Sequence, residues 1–175
     1  VSERRLTEAS YIVLGLLELS EPATPYDLKQ FAKISVFYAW AMPHSQIYGE
    51  CARLSEEGFL DESREDGGRR RRFYRLTARG RGALEQWRGE PTDRIHEGRS
   101  RAALQLFFGT DPVALAEAQL PMHRQRLREL EASVSYPALP KRIRLTTELG
   151  INQERALIRF WSRIAAGEDE GPAPG

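Results

Sequence analysis

Apolar residues recur along this chain with two different periods, and the switches between them lay out the elements. From Leu6 to Leu19, the residues Ile12, Val13, Leu16, Leu17 and Leu19 cover a broad helical face, which predicts a mostly buried helix. Thr7 is placed to cap it, and Leu6 to staple onto Tyr11. The segment Ser-Glu-Pro-Ala-Thr-Pro breaks the period. Thr24 followed by Pro25 restarts it, a capping hydroxyl and then proline at the first helical position, and predicts a second helix from Pro25 to about Val36. After a loop carrying Trp40 and Pro43, the residues Ile47, Cys51 and Leu54 fall at i, i+4 and i+7 and predict a third helix from His44 to Glu57. Gly58 fits its left-handed stop. Gly49 lies inside that helix and costs it about 1 kcal/mol against alanine.

The pattern then shortens. Phe59–Ser63 and Arg71–Thr77 read as two strands, and Asp-Gly-Gly between them can take the positive φ of a tight hairpin. Thr77 caps a fourth helix from Ala78 to about Arg88. Gly-Glu-Pro-Thr-Asp at 89–93 is the first credible boundary. Beyond it the pattern predicts a helix from Asp93 to Phe108 stopped by Gly109, and a long helix capped by Asp111 with Pro112 at its first position. A last helix runs from about Lys141 to Ala166, and residues 167–175 form a disordered tail. No internal repeat is evident. The fold class is mainly α with a small β-hairpin. Residues 1–90 form a winged helix-turn-helix domain and 91–166 a helical dimerisation or effector domain.

Composition narrows the function. At 175 residues and 41% hydrophobic content, the chain suits one ordinary domain or two small ones. It contains no apolar run of about 18 residues, so no membrane span is expected. The start, Val-Ser-Glu-Arg-Arg-Leu-Thr, lacks the apolar core of a signal peptide. A single cysteine excludes an internal disulfide and a cysteine-built zinc site, and fits a reducing cytoplasm. No metal or cofactor is expected. Net charge is +1, so electrostatic arguments depend on where the charges lie.

Two clusters carry candidate chemistry. A recognition helix enters the DNA major groove through its N-terminal residues, here His44, Ser45, Gln46 and Tyr48. Glutamine can pair with adenine, serine is tolerant, and tyrosine and histidine can reach phosphate or a thymine methyl. Arg53, further along, is better placed for the backbone. The hairpin tip carries Arg69, Arg70, Arg71 and Arg72. Adjacent guanidiniums repel one another unless an anion neutralises them, and a phosphate backbone or minor groove supplies one. Strand alternation turns only some of them to one side, with Arg70 and Arg72 the favoured pair. Glu65 and Asp66 partly offset their field. A solvated charged face and a polar helix start are the plainer readings of each cluster alone. Their order on this topology favours nucleic acid.

These residues resemble a known family. Leu6–Phe31, then His44–Glu65, then Arg69–Trp87, with the Ser-Gln-Ile-Tyr element, the Leu-x-x-Glu-Gly helix end and Tyr-Arg-Leu-Thr-x-x-Gly, are similar to the PadR family of transcriptional regulators over about half the chain. Leu104–Gly109 and Gly150–Trp161 resemble its longer branch, with a helical C-terminal domain. The resemblance implies a dimeric repressor that binds an inverted-repeat operator and answers, in several members, to phenolic acids or hydrophobic drugs. By position it places Ser45, Gln46 and Tyr48 on the recognition helix, Tyr26 and Lys29 near phosphate, and the arginines on a basic wing. The family commonly has proline where this chain has Gly49, which leaves the helix start floppier.

In the second half, Val113, Leu120, Leu127 and Val134 repeat every seven residues, with Ala116, His123 and Leu130 as companions. That is an a/d seam over three heptads. Pro121 predicts a kink or break near Glu117. On the last helix, Ile143, Thr147, Ile151, Leu157 or Ile158, Trp161, Ile164 and Ala165 share a side. Packing within the chain explains part of this surface, and dimerisation through Val113, Leu120, Leu127, Leu130, Val134, Leu157 and Trp161 explains the rest. Two recognition helices one DNA turn apart read a palindrome. Phe37, Tyr38, Trp40 and His123 are candidate effector contacts, with Trp87, His96 and Tyr136 behind them. Core packing is the plainer account of each aromatic.

The alternative is a winged-helix protein-interaction module whose wing meets an acidic partner. An enzyme is rejected, because Cys51 and His44 lie two helical turns, about 10 Å, apart. No phosphate loop, paired carboxylates or histidine cluster supports catalysis. Cys51 shares the inward face with Ile47 and Leu54 and reads as a small buried hydrophobe rather than a redox switch.

Overall fold

The computed structural model describes residues 5–36, 40, 42–65, 71–94, 98, 100–134 and 139–168. The chain divides into two compact units, residues 1–94 and 95–175.

The first unit contains α1 (Glu8–Ser20), α2 (Pro25–Ile34), α3 (His44–Glu56), β1 (Leu60–Arg64), β2 (Arg72–Leu76) and α4 (Ala78–Arg88). Side-chain caps set the boundaries. Ser10 Oγ accepts from the Thr7 N–H at 2.8 Å, so α1 starts at Glu8 rather than at Leu6. Thr24 and Asp27 form a reciprocal capping box, with Asp27 N–H donating to Thr24 Oγ1 at 3.2 Å and Thr24 N–H donating to Asp27 Oδ2 at 3.0 Å. Thr77 Oγ1 accepts from Gly80 N–H at 3.0 Å and opens α4. Gly58 ends α3 with φ +76°, a conformation that glycine takes without a Cβ penalty.

The strands pair antiparallel, with Leu60 opposite Leu76, Glu62 opposite Tyr74 and Arg64 opposite Arg72. Leu60, Tyr74 and Leu76 therefore share one face and enter the core. There they join Val13, Leu14 and Leu17 of α1, Leu28 of α2, Ile47, Cys51 and Leu54 of α3 and Leu84 of α4. The Ser-Glu-Pro-Ala-Thr-Pro break is more than a spacer. Ala23 exchanges backbone hydrogen bonds with Tyr74 at 2.9 and 3.2 Å. Glu21 accepts from the Leu76 N–H at 2.7 Å and from Arg81 at 2.5 Å. The helix junction and the base of the hairpin are thereby joined.

The second unit contains α5 (Arg101–Phe107), α6 (Pro112–Val134) and α7 (Lys141–Ala165). The helix expected from Asp93 begins only at Arg101, because Ser100 Oγ accepts from Ala103 N–H at 3.1 Å and fixes the start there. Gly109, with φ +86°, ends the segment as expected. Asp111 Oδ1 accepts from the Val113 and Ala114 N–H groups at 2.8 and 3.1 Å and caps α6. Of the kink or break expected near Glu117, the break does not occur, and α6 runs unbroken through Pro121. Pro121 and Glu117 both lie on the exposed side, where water can take the bond that proline cannot make. Leu115, Ala116 and Leu120 pack with Ala102, Trp161 and Ile164 into one core, and Ile158, not Leu157, is the neighbour that packs against it. Among the described residues no helix is long and apolar enough to cross a membrane.

Candidate nucleic-acid interface

Helix α3 is two-sided. Ile47, Cys51 and Leu54 are wholly buried against α1 and the hairpin, while Ser45, Gln46, Tyr48 and Gly49 are exposed. The apolar residues at i, i+4 and i+7 anchor one face, so the remaining residues of the first two turns must face away from the core. Tyr48 keeps 47% of its surface exposed and Tyr26 of α2 keeps 55%. Lys29 is half-buried, and His44 is the first residue of α3. Ser45, Gln46 and Tyr48 can donate and accept hydrogen bonds from a supported helix start, the requirement for reading base edges.

Arg53, expected at the DNA backbone, has partners within the first unit. Its guanidinium donates to Glu50 at 2.5 and 3.2 Å, to Glu57 at 2.7 Å and to Ser10 Oγ at 3.0 Å. The reason is helical spacing, which puts one carboxylate three residues before it and another four after. Burial works to raise the pKa of Glu50, and hydrogen bonds from Arg53 and Ser10 outweigh it, holding the carboxyl below the usual range.

On the wing, Arg69 and Arg70 lie outside the described residues, and Arg71 and Arg72 are exposed. The register brings up a residue that sequence reading passed over. Arg64 stands opposite Arg72, and both lie near Glu62, at 3.1 and 3.6 Å. Tyr74 Oη donates to the same carboxylate at 3.0 Å. Partial burial works to raise the pKa of Glu62, and the hydrogen bonds from Arg64 and Tyr74 with the two arginine charges bring it below the usual range. Only the pairing register, which sequence pattern leaves open, could have picked out Arg64.

Burial pushes the Cys51 thiol up to about 12, with the Glu50 charge adding to the effect, so it is no thiolate at physiological pH. Among the effector candidates, Phe37, Tyr38, His96 and Tyr136 lie outside the described residues. Trp40, in the first unit, is half-exposed. His123, in the second unit, has its Nδ1 2.7 Å from Glu154 Oε2. Trp87 stacks on Tyr11 with ring centroids 4.8 Å apart. Among the described residues no group of three or more His, Cys, Asp or Glu could hold a metal.

The expected dimerisation seam divides. Leu120, Leu130 and Trp161 are buried within the unit itself, because α6 and α7 of one chain already cover each other there. Leu127 and Val134 are half-buried, while Val113 and Leu157 remain exposed.

Residues 13–86 match the transcriptional regulator PadR-like family. They span α1 from its buried Val13 through most of α4, and so include every described element of the winged helix. Over 79 residues the chain is 34% identical to the negative transcriptional regulator PadR of Bacillus subtilis, a match covering 44% of this chain and 43% of that protein. The crystal structure of Bacillus subtilis PadR in complex with operator DNA has a similar fold, with a TM-score of 0.80 at 22% identity over 95% of this chain and 100% of that one. The same regulator in complex with p-coumaric acid gives 0.71 at 23% identity over 95% and 100%. The Vibrio cholerae virulence activator AphA gives 0.68 at 22% identity over 91% and 97%. The first unit of this chain is thus similar in sequence to the PadR-like family of transcriptional regulators through its two-stranded wing, and the chain shares its fold with solved PadR structures.

Proposed function

We propose that this chain is a sequence-specific DNA-binding repressor that reads a palindromic operator as a homodimer. The observation that carries the reading is α3 itself. Its apolar side is locked into the core at Ile47, Cys51 and Leu54, and its first turns present Ser45, Gln46 and Tyr48 to solvent. His44 completes that helix start. Tyr26, Lys29 and the wing arginines Arg69 to Arg72, with Arg64 added, supply phosphate contacts that set the register on the duplex.

Dimerisation is supported by the apolar surface of the second unit. Phe107 and Phe108 are 82% and 78% exposed, and Leu104, Val113 and Leu157 are exposed too. A soluble monomer rarely leaves so much large apolar surface in water. A dimer also supplies the second half-site contact that a specific genomic address requires. The sign of regulation follows the negative regulator of Bacillus subtilis. The virulence activator AphA has a similar fold, so the fold alone does not set the sign. A small hydrophobic or phenolic effector, by likeness to the regulator that binds p-coumaric acid, releases the operator, with Phe37, Tyr38, Trp40 and His123 as the residues to test. It acts by binding the DNA-incompetent state more tightly. This function places the protein in the cytoplasm.

The test is a gel shift on the DNA upstream of the protein's own gene, against a duplex with the inverted repeat scrambled, at two salt concentrations. A shift specific to the intact repeat is expected. Equal or absent binding to both would bring forward the protein-interaction module.

A further inference from the structure

We propose that Arg53 is the positioning residue of the reading helix: it sets the rotation of α3 about its axis, and so the base preference of Ser45, Gln46 and Tyr48, without touching DNA. The assignment rests on the DNA-reading role of α3 given above.

All three guanidinium nitrogens are engaged inside the first unit. It holds Glu50 and Glu57 on its own helix and Ser10 on α1, and the Ser10 bond is the one of these that leaves α3. Ser10 is wholly buried, and its Oγ also accepts from the Thr7 N–H, so the anchor at the far end is itself fixed. The two carboxylates carry one more negative charge than the single guanidinium carries positive, so the cluster as a whole repels phosphate.

Apolar packing holds α3 in its seat but leaves small rotations about its axis the least restrained. Ile47, Cys51 and Leu54 hold α3 against the core through contacts that have no preferred direction. A hydrogen bond weakens steeply as its angle closes, so the Arg53–Ser10 bond does have one. A helix with its side chains has a radius of about 5–6 Å, so a rotation of about 20° moves a side-chain tip by about 2 Å. A two-point contact between Gln46 and adenine does not survive that shift. Phosphate contacts from the wing, which is not on α3, are unaffected. Loss of Arg53 therefore falls on discrimination between sequences and spares affinity for DNA in general.

The test uses the whole chain with Arg53→Lys and, separately, Ser10→Ala. Lysine keeps the charge but cannot span both carboxylates and the serine. Alanine leaves Arg53 in place and removes its anchor on α1, together with the Thr7 capping bond, whose loss the thermal melts report. Binding to the intact inverted repeat and to the scrambled duplex is measured by fluorescence anisotropy across a salt series, with thermal melts alongside. Both substitutions are expected to narrow the preference for the intact repeat by about tenfold. Affinity for the scrambled duplex, and its salt dependence, should stay as in the unaltered protein. Loss on both duplexes with a shallower salt dependence would make Arg53 a phosphate contact and overturn the proposal. Loss on both in step with a lowered melting temperature would reduce it to a fold-stabilising residue, and unchanged binding would remove it altogether. If the unaltered protein fails to distinguish the duplexes, the DNA-reading role of α3 fails, and this assignment with it.

Discussion

Arg64 and Arg72 stand opposite each other across the hairpin and share one carboxylate, that of Glu62. Two like charges at adjacent positions would repel, and Glu62 holds them together while cancelling part of their field. The pair is exposed, so the ion bridges themselves add little to stability. Their consequence is for charge available to a partner.

Glu62→Gln removes that competing charge and keeps an acceptor for Tyr74 Oη. Affinity for DNA of any sequence should rise, and the slope of log affinity against log salt should steepen by about 0.9 for each further phosphate neutralised. A salt titration with the scrambled duplex checks this. An unchanged slope would mean that the wing does not reach phosphate.

Gln46 is the residue of α3 best suited to a base edge. Gln46→Ala should cost about 1–3 kcal/mol on the preferred duplex and leave the scrambled one unaffected. Competition binding with single-base variants would locate the lost preference. If every variant competes as before, Gln46 does not read the sequence.

Two glycines should respond in opposite ways to alanine. A Cβ on Gly80 would lie 2.3 Å from the Phe59 carbonyl oxygen, so α4 would have to shift away from the turn before β1. Gly80→Ala should destabilise by about 1–3 kcal/mol. A Cβ on Gly49 would meet nothing within 4 Å, and its residue sits in the middle of α3. Gly49→Ala should stabilise by about 1 kcal/mol. Urea denaturation with an unchanged m-value would read both.

Acid should loosen the first unit. Glu21 is held below its ordinary value of 4.5, as Glu50 is. For Glu21, burial works upward and is outweighed by the Leu76 N–H and the Arg81 guanidinium. A carboxyl held low in the folded state contributes stability that is complete above its unfolded value and is lost as pH falls through the folded one. The melting temperature should therefore hold above about pH 5 and drop below it. In Glu50→Gln it should start lower at neutral pH and drop less on acidification, as thermal melts across the range would record.

Cys51 should be inert in the folded protein, since its thiol is wholly buried and pushed up to about 12. An alkylating reagent at about pH 8 should label it only as fast as the first unit opens, and rapidly in denaturant. Labelling of the native protein at the rate of a free thiol would contradict the buried position.

The sequence by itself determined most of the local order. The spacing of Ile47, Cys51 and Leu54 located α3 and its exposed face, because a helix repeats about every 3.6 residues whatever surrounds it. Thr24, Thr77 and Asp111 marked helix starts that the structure keeps, since a capping bond spans only two or three residues. The same locality explains the failures. Ser100 overrode a helix expected from Asp93, and Leu120 and Trp161, expected at a dimer seam, pack together within the second unit. That Ser10, 43 positions away in sequence, meets the Arg53 guanidinium could be known only from the folded chain. Arg64 owes its place to the pairing register, and Ala23 its bond to Tyr74 to the closure of a loop on a strand. Periodicity and capping are written in neighbouring residues. Which distant charge meets which, and which apolar face is already covered, is decided only when the chain closes on itself.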